Sequence, residues 1–179
     1  MINSVLLVLY NLIRFRLKRI FAPHRLGIHY IQRISPRASI KVFDQGRVKV
    51  GRNCEFAAGC DFQVHSDGVL TIGGGVYFNR YCMISAHQKV SIGEHCIFGP
   101  GVKIFDNNHK FNAEHGVVSG LSTDDIVIGN NCWIASDVVI LKGVHIGDNS
   151  VIGAGCIIYK DIPAKSVVKN KQDLQIEPL

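Results

Sequence analysis

Between Val50 and Ile158 an aliphatic or Phe residue returns every six positions. With that residue as position i, the series runs Val50, Phe56, Phe62, then Ile72, Phe78, Ile84, then Ile92, Phe98, Ile104, and from Ile128 onward to Ile158. The next position is Gly, Ala or Ser in most hexads, as at Gly51, Ala57, Gly73, Gly93, Gly129 and Gly147. An amphipathic α-helix needs apolar spacings of three and four, so the period is wrong for a helix. Short strands with one inward aliphatic residue, joined by small-residue turns, fit a parallel β-helix built on hexapeptides. Glycine after position i is expected to supply the unusual backbone angles of the corners.

Counted in threes, the hexads admit extra residues only after every third one. About four follow the hexad of Phe62, two follow that of Ile84 and 18 follow that of Ile104. The earlier run Ile34, Ile40, Val50 behaves the same way. Every insertion therefore leaves from one corner of a triangular prism. About five coils stacked at ~4.8 Å make a column on the order of 25 Å tall. Such a prism buries an inward column and leaves three flat faces, so association into a symmetric homotrimer is expected.

All six cysteines, Cys54, Cys60, Cys82, Cys96, Cys132 and Cys156, fall at position i+4. They form no CxxC pair, and a free thiol behaves as a small hydrophobe. They read as inward filler, beside Val76, Val102, Val138, Val144 and Ser150 on the same phase. Unpaired thiols point to a reducing, cytoplasmic compartment.

The net charge of +6 is concentrated early, with Arg14, Arg16, Lys18, Arg19 and Arg25 in the first 25 residues. The repeat region is closer to neutral, which argues against a nucleic-acid partner and for a local anionic one. Residues 1–13 are largely apolar, too short to span a bilayer, and their basic cluster follows the apolar run instead of preceding it as in a secretory signal. Two readings stay open: a peripheral membrane contact through residues 1–25 at the inner face of the membrane, or a helix packed on the body or on a neighbouring subunit. Arg16 lies within the main apolar stripe and weakens the first. The chain thus divides into an apolar and basic segment 1–27, expected to be helical, a β-helix over 28–168 with a long loop at 107–125, and a tail 169–179.

The run Ile128-Gly129-Asn130-Asn131-Cys132-Trp133-Ile134-Ala135-Ser136, then Val144 to Gly155, then Lys160-Asp161-Ile162-Pro163 resembles the hexapeptide-repeat acyltransferases, and more narrowly their galactoside and maltose O-acetyltransferase branch. The resemblance covers about Thr71 to Val168. It implies a left-handed β-helix, a trimer, acetyl-CoA as donor and a sugar or glycan hydroxyl as acceptor. The family's catalytic His falls on His109 and its acceptor-orienting Asn on Asn79. Trp133 and backbone amides near Ala135, Ser136 and Ala154 fall along the pantetheine arm, and Lys160 falls where a basic residue meets the CoA phosphates. A His-Pro step is frequent where that loop begins, whereas this chain has His109-Lys110-Phe111.

The residues themselves support the same positions. An alcohol is a poor nucleophile at neutral pH, and an imidazole is a suitable base. His109 opens the longest insertion. Asn79 puts a side-chain amide where Gly, Ala or Ser usually stands, either to hold an acceptor or oxyanion or because an Asn tolerates a corner's backbone angle. His65 and His87 share position i+3 of successive coils and should stack, with Asn107 next. Two histidines in register do not complete a metal site, so no metal is assigned, although a zinc β-helix of the carbonic-anhydrase kind and an N-acetyltransferase acting on an amino sugar are the alternatives. Asp106 and Glu114 are the carboxylates within reach of orienting His109.

Overall fold

The computed structural model describes residues 4–21 and 24–171. Of the expected N-terminal segment 1–27, residues 1–3 and 22–23 lie outside the described residues, as does most of the tail 169–179. One helix, α1 (Ser4–Phe21), precedes the coils. The first coil is β1 (Leu26–Ile28), β2 (Gln32–Ile34) and β3 (Ser39–Val42), and the second is β4 (Arg47–Val50), β5 (Cys54–Phe56) and β6 (Asp61–Val64). The third is β7 (Val69–Ile72), β8 (Tyr77–Phe78) and β9 (Met83–Ala86), and the fourth is β10 (Lys89–Ile92), β11 (Ile97–Phe98) and β12 (Lys103–Phe105). A hairpin, β13 (Asn107–Asn112) with β14 (Gly116–Thr123), interrupts the stack. Coil five is β15 (Ile126–Ile128), β16 (Trp133–Ile134) and β17 (Val139–Leu141), and coil six is β18 (His145–Ile146), β19 (Val151–Ile152) and β20 (Ile157–Ile158). Ile162 bridges to Ile146, and β21 (Val167–Val168) begins a seventh turn.

First, second and third strands of each coil form three parallel sheets, here faces 1, 2 and 3. The fold is the parallel β-helix expected from the period. It holds one coil more than the count from Val50, because β1–β3 pair in register with β4–β6 (Leu26↔Val48, Gln32↔Cys54, Ser39↔Asp61). The run Ile34, Ile40 marks two of its strands, and the coil escapes the full count because Gln32 replaces the small residue of position i+4.

Position i is inward throughout, and the buried rings of Phe56, Phe62, Phe78 and Phe98 pack on one another at centroid distances of 4.2–5.3 Å. The small residue at i+1 has a different cause from the one expected. Left-handed backbone falls at i+3 instead, on Asn53, Asn131, Asn149 and Asp137 among others, residue types that tolerate it. At i+1 the constraint is close approach between coils. A Cβ on Gly73 would sit 2.6 Å from the backbone carbonyl of Gly93 in the coil above.

The six cysteines are buried and free. They stand in two columns, Cys54, Cys96 and Cys132 after first strands and Cys60, Cys82 and Cys156 after second strands, and both columns do more than fill space. Cys54 donates its thiol proton to the Gly73 carbonyl at 3.1 Å, Cys60 to Asn79, Cys82 to Gly99, Cys96 to Gly129 and Cys132 to Gly147. Each acceptor is the i+1 carbonyl of the next coil. Gln32 and Ser150, in the column of Cys54, Cys96 and Cys132, donate to the corresponding carbonyls of Gly51 (2.6 Å) and Pro163 (3.1 Å). Burial pushes the Cys54 thiol up, which keeps it a donor.

The lower edge of the first coil has no coil beneath it, and α1 covers it. Asn11 Nδ2 donates to Ile34 O (2.9 Å), Arg14 to Ser35 O and Ala38 O (3.3 and 2.7 Å), and Lys18 to Ile40 O (3.4 Å). Unpaired strand carbonyls invite pairing with another chain, and these side chains occupy them. The packed-helix reading therefore holds for this face of α1, and Arg14 and Lys18 serve the body of the protein. The opposite face leaves Leu6, Leu9, Ile13, Leu17 and Ile20 more than half exposed. Among the described residues no helix is long and apolar enough to cross a membrane.

Candidate functional site

The longest insertion is a hairpin, and its root is fixed by Asp106. This carboxylate is fully buried. It accepts hydrogen bonds from the His87 amide (2.8 and 3.0 Å), the Gln88 amide (2.8 Å) and Asn107 Nδ2 (3.1 Å). Its backbone carbonyl accepts the amide of Asp124 at 3.0 Å, so the outgoing and returning strands are tied at one point. Asp106 thus anchors the hairpin, and its hydrogen bonds go to these groups and not to His109. Glu114 lies at the tip, 3.8 Å from His115, and does not contact His109 either.

His109 is exposed in β13, opposite Leu121, and the pairing register shifts between His109 and Phe111. A bulge of this kind re-aims the side chains beside it. The departure from a His-Pro step is accommodated here, since Lys110 lies within this irregularity.

Below the hairpin, at the corner between face 3 and face 1, planar rings stack along the prism. Phe43 lies on His65 with centroids 4.6 Å apart and planes at 10°, and His65 lies on His87 at 4.6 Å and 8°. The sequence anticipated the His65–His87 stack but not Phe43. Desolvation, then the neighbouring His65 and His109, lower the pKa of His87, with Asp106 acting the other way. No group of three His, Cys, Asp or Glu able to hold a metal occurs among the described residues.

Asn79 sits half-buried at the opposite edge of face 3, at the corner following β8. Its φ is not positive, so backbone tolerance does not explain it. Its Oδ1 accepts the Arg80 amide at 2.8 Å, which leaves Nδ2 as an available donor. The same corner two coils up carries Ala135 and Ser136, and the next carries Ala154. The Ala135 amide is spent on Ile152 O (2.9 Å). Those of Ser136 and Ala154 donate to no described residue and stand one above the other, about 4.8 Å apart by coil spacing. This pair could not be read from sequence, because it depends on which i+2 amides the corner leaves open: Arg80 is capped by Asn79, Pro100 has no N–H, and Ala58, also open, stands alone three coils below. Trp133 projects outward from β16, 53% exposed, in one row with Tyr77, Ile97, Val151 and Val167. Lys160 is exposed at the far corner of face 3 in coil six.

One chain does not bring these groups together. Strand β9 separates the corner of Asn79 from that of the hairpin, and four residues of strand span about 13 Å. The arrangement offers an exposed imidazole on an anchored hairpin, a side-chain amide donor, and two open backbone amides, which is equipment for moving a proton and polarising a carbonyl.

Comparison with known proteins agrees with this architecture. Residues 125–160 match the bacterial transferase hexapeptide family (six repeats). The galactoside O-acetyltransferase of Escherichia coli K12 is 43% identical over 98 residues, 55% of this chain and 48% of that protein. The chain therefore spans about half the length of that relative. A putative lipopolysaccharide biosynthesis O-acetyl transferase, WbbJ, of the same organism is 26% identical over 134 residues, 70% of this chain and 68% of that protein. Among solved structures, AntD, an N-acyltransferase from Bacillus cereus in complex with dTDP and 3-hydroxybutyryl-CoA, superposes with a TM-score of 0.69 at 13% identity, covering 84% of this chain and 81% of that one.

Proposed function

We propose that this chain, whose residues 125–160 match the bacterial transferase hexapeptide family, transfers an acetyl group from acetyl-CoA to a hydroxyl of a sugar or glycan. The observation that carries this reading is the break in the repeat. The stack is interrupted once by a long anchored hairpin, that hairpin bears His109, and the open amides of Ser136 and Ala154 lie on the coils just beyond it.

In this reading neutral His109 accepts the proton of the acceptor hydroxyl as its oxygen attacks the thioester carbonyl. A C–O bond forms, and the carbonyl electrons move to an oxyanion. Collapse breaks the C–S bond, and the imidazolium returns its proton to the leaving CoA sulfur. Asn79 Nδ2 holds the acceptor oxygen or the oxyanion. The amides of Ser136 and Ala154 receive carbonyls of the pantetheine arm beside Trp133, and Lys160 meets the CoA phosphates. Transfer is direct, since the cysteines are buried and committed to the stack.

Asn79 and His109 lie a face apart in one chain, so the site is completed between subunits of a homotrimer, with CoA in the cleft. The apolar row through Trp133 supports such an association. The acceptor is a cell-surface polysaccharide or its lipid-linked precursor at the cytoplasmic side of the membrane, a reading supported by the likeness to WbbJ and by the outward apolar face of α1.

His109→Ala is expected to lower acetyl transfer by roughly 100-fold or more, the usual loss for a general base, with the fold unchanged by circular dichroism. Undiminished transfer overturns the mechanism. A panel of hydroxyl and amine acceptors distinguishes an ester product from an amide.

A further inference from the structure

We infer that the rings of Phe43, His65 and His87 form an acceptor track that holds an extended glycan between His109 and α1. This rests on the acetyl-transfer reading above and adds to it the size of the acceptor and the direction in which it lies.

The first support is where the ring column stops. Position i+3 of the third strand is Phe43, His65 and His87 in coils one to three, and in coil four the hairpin departs from it. In coil five the same position is Gly143. At position i+3 of this corner, rings therefore occur among the described residues only on the α1 side of His109, while the open amides of Ser136 and Ala154 are on the other side. The hairpin divides the prism into two halves with different lining.

The second support is the chemistry of the column. Parallel rings 4.6 Å apart present their edges outward as a ladder. A neutral imidazole edge carries one donor and one acceptor, which is what a row of sugar hydroxyls matches. The hydrogen bonds at His87 are made by its backbone amide, so its ring nitrogens remain for a ligand. Beside the ladder, on face 3, runs a polar row held in place by its own bonds. His65 Nε2 lies 3.3 Å from Gln63 Oε1, Gln63 Nε2 donates to Asp61 Oδ2 at 2.5 Å, and Lys41 pairs with Asp61 at 3.2 Å. Fixed polar groups beside planar rings suit an uncharged, many-hydroxyl ligand better than a phosphate, because the cation in this row is already paired.

The third support is length. From coil one to the hairpin root is three coil steps, about 14 Å, longer than one sugar ring. A glycan laid along it points its far end at α1, the end of the molecule with the exposed apolar helix face.

The test compares acceptors of two lengths on the full-length protein: glucose, galactose and N-acetylglucosamine against maltotetraose, β-1,4-galactotetraose and chitotetraose. At least one tetrasaccharide is expected to bind and to be acetylated about 10-fold better than its monosaccharide. His65→Ala is expected to remove that advantage by raising KM for the tetrasaccharide, leaving kcat, KM for acetyl-CoA and the monosaccharide reaction unchanged. Phe43→Ala, at an exposed corner, serves where His65→Ala does not fold. Calorimetric binding of the same sugars without acetyl-CoA reads the track independently of turnover. Equal binding of long and short acceptors by the wild type, or equal loss for both in the variants, overturns the track. Loss of transfer to every acceptor with tetrasaccharide binding intact overturns the acetyl-transfer reading instead.

Discussion

His87 shows how a single side chain couples the stack to solution conditions. Burial first, then its histidine neighbours, depress its pKa below the ordinary value of 6.5. Below about that pH the unfolded chain binds more protons than the folded one, so the stabilisation is complete above pH 6.5 and is lost as pH falls from there toward the folded value. The melting temperature is expected to fall between about pH 7.5 and about pH 5.5, and His87→Gln should flatten that fall. An unchanged slope in the variant would show that other groups set it. The position of His87 in a stack was legible, since its phase matches that of His65. Its charge environment was not, because Asp106 and His109 reach it only through the geometry of the hairpin root. The cysteines repeat the lesson: their inward phase follows from counting, but their thiol-to-carbonyl bonds require the offset between successive coils.

Helix α1 has two distinct faces, and the one turned to the coils was not legible as such. The apolar run and basic cluster suggested a membrane contact, yet Arg14 and Lys18 point at the first coil's carbonyls. Spacing alone could not reveal a bare strand edge waiting beneath the helix. Deleting the helix would uncover that edge and confuse any membrane assay, so substitutions on the outward face are the better probe. Leu9→Glu combined with Ile13→Glu and Leu17→Glu is expected to abolish flotation with vesicles containing anionic lipid while leaving the melting temperature within about 2 °C, as exposed substitutions usually do. Flotation equal to the wild type would remove the membrane from the reading. The hairpin was legible as an insertion and as the carrier of His109, but its strand pairing was not, because β13 and β14 carry no hexad rhythm.

The prism as a whole was the most legible feature, since one period sets all three faces. Its assembly is the next question. Tyr77, Ile97, Trp133, Val151 and Val167 make a continuous outward row on face 2, with Ile97, Trp133 and Val167 at least half exposed. For the proposed homotrimer, Trp133→Glu is expected to shift sedimentation velocity toward monomer and to lower acetyl transfer in parallel. A monomeric wild type with full activity would show that one chain suffices. Every insertion in the chain leaves from the corner between faces 3 and 1, and this divides the sequence into two kinds of text. Elsewhere, one added residue would turn each following side chain to the opposite side of its strand, much as a shifted reading frame garbles every later codon. At that seam, words of any length can be written without disturbing the next line. The chain has used it once at length, for the hairpin that bears His109.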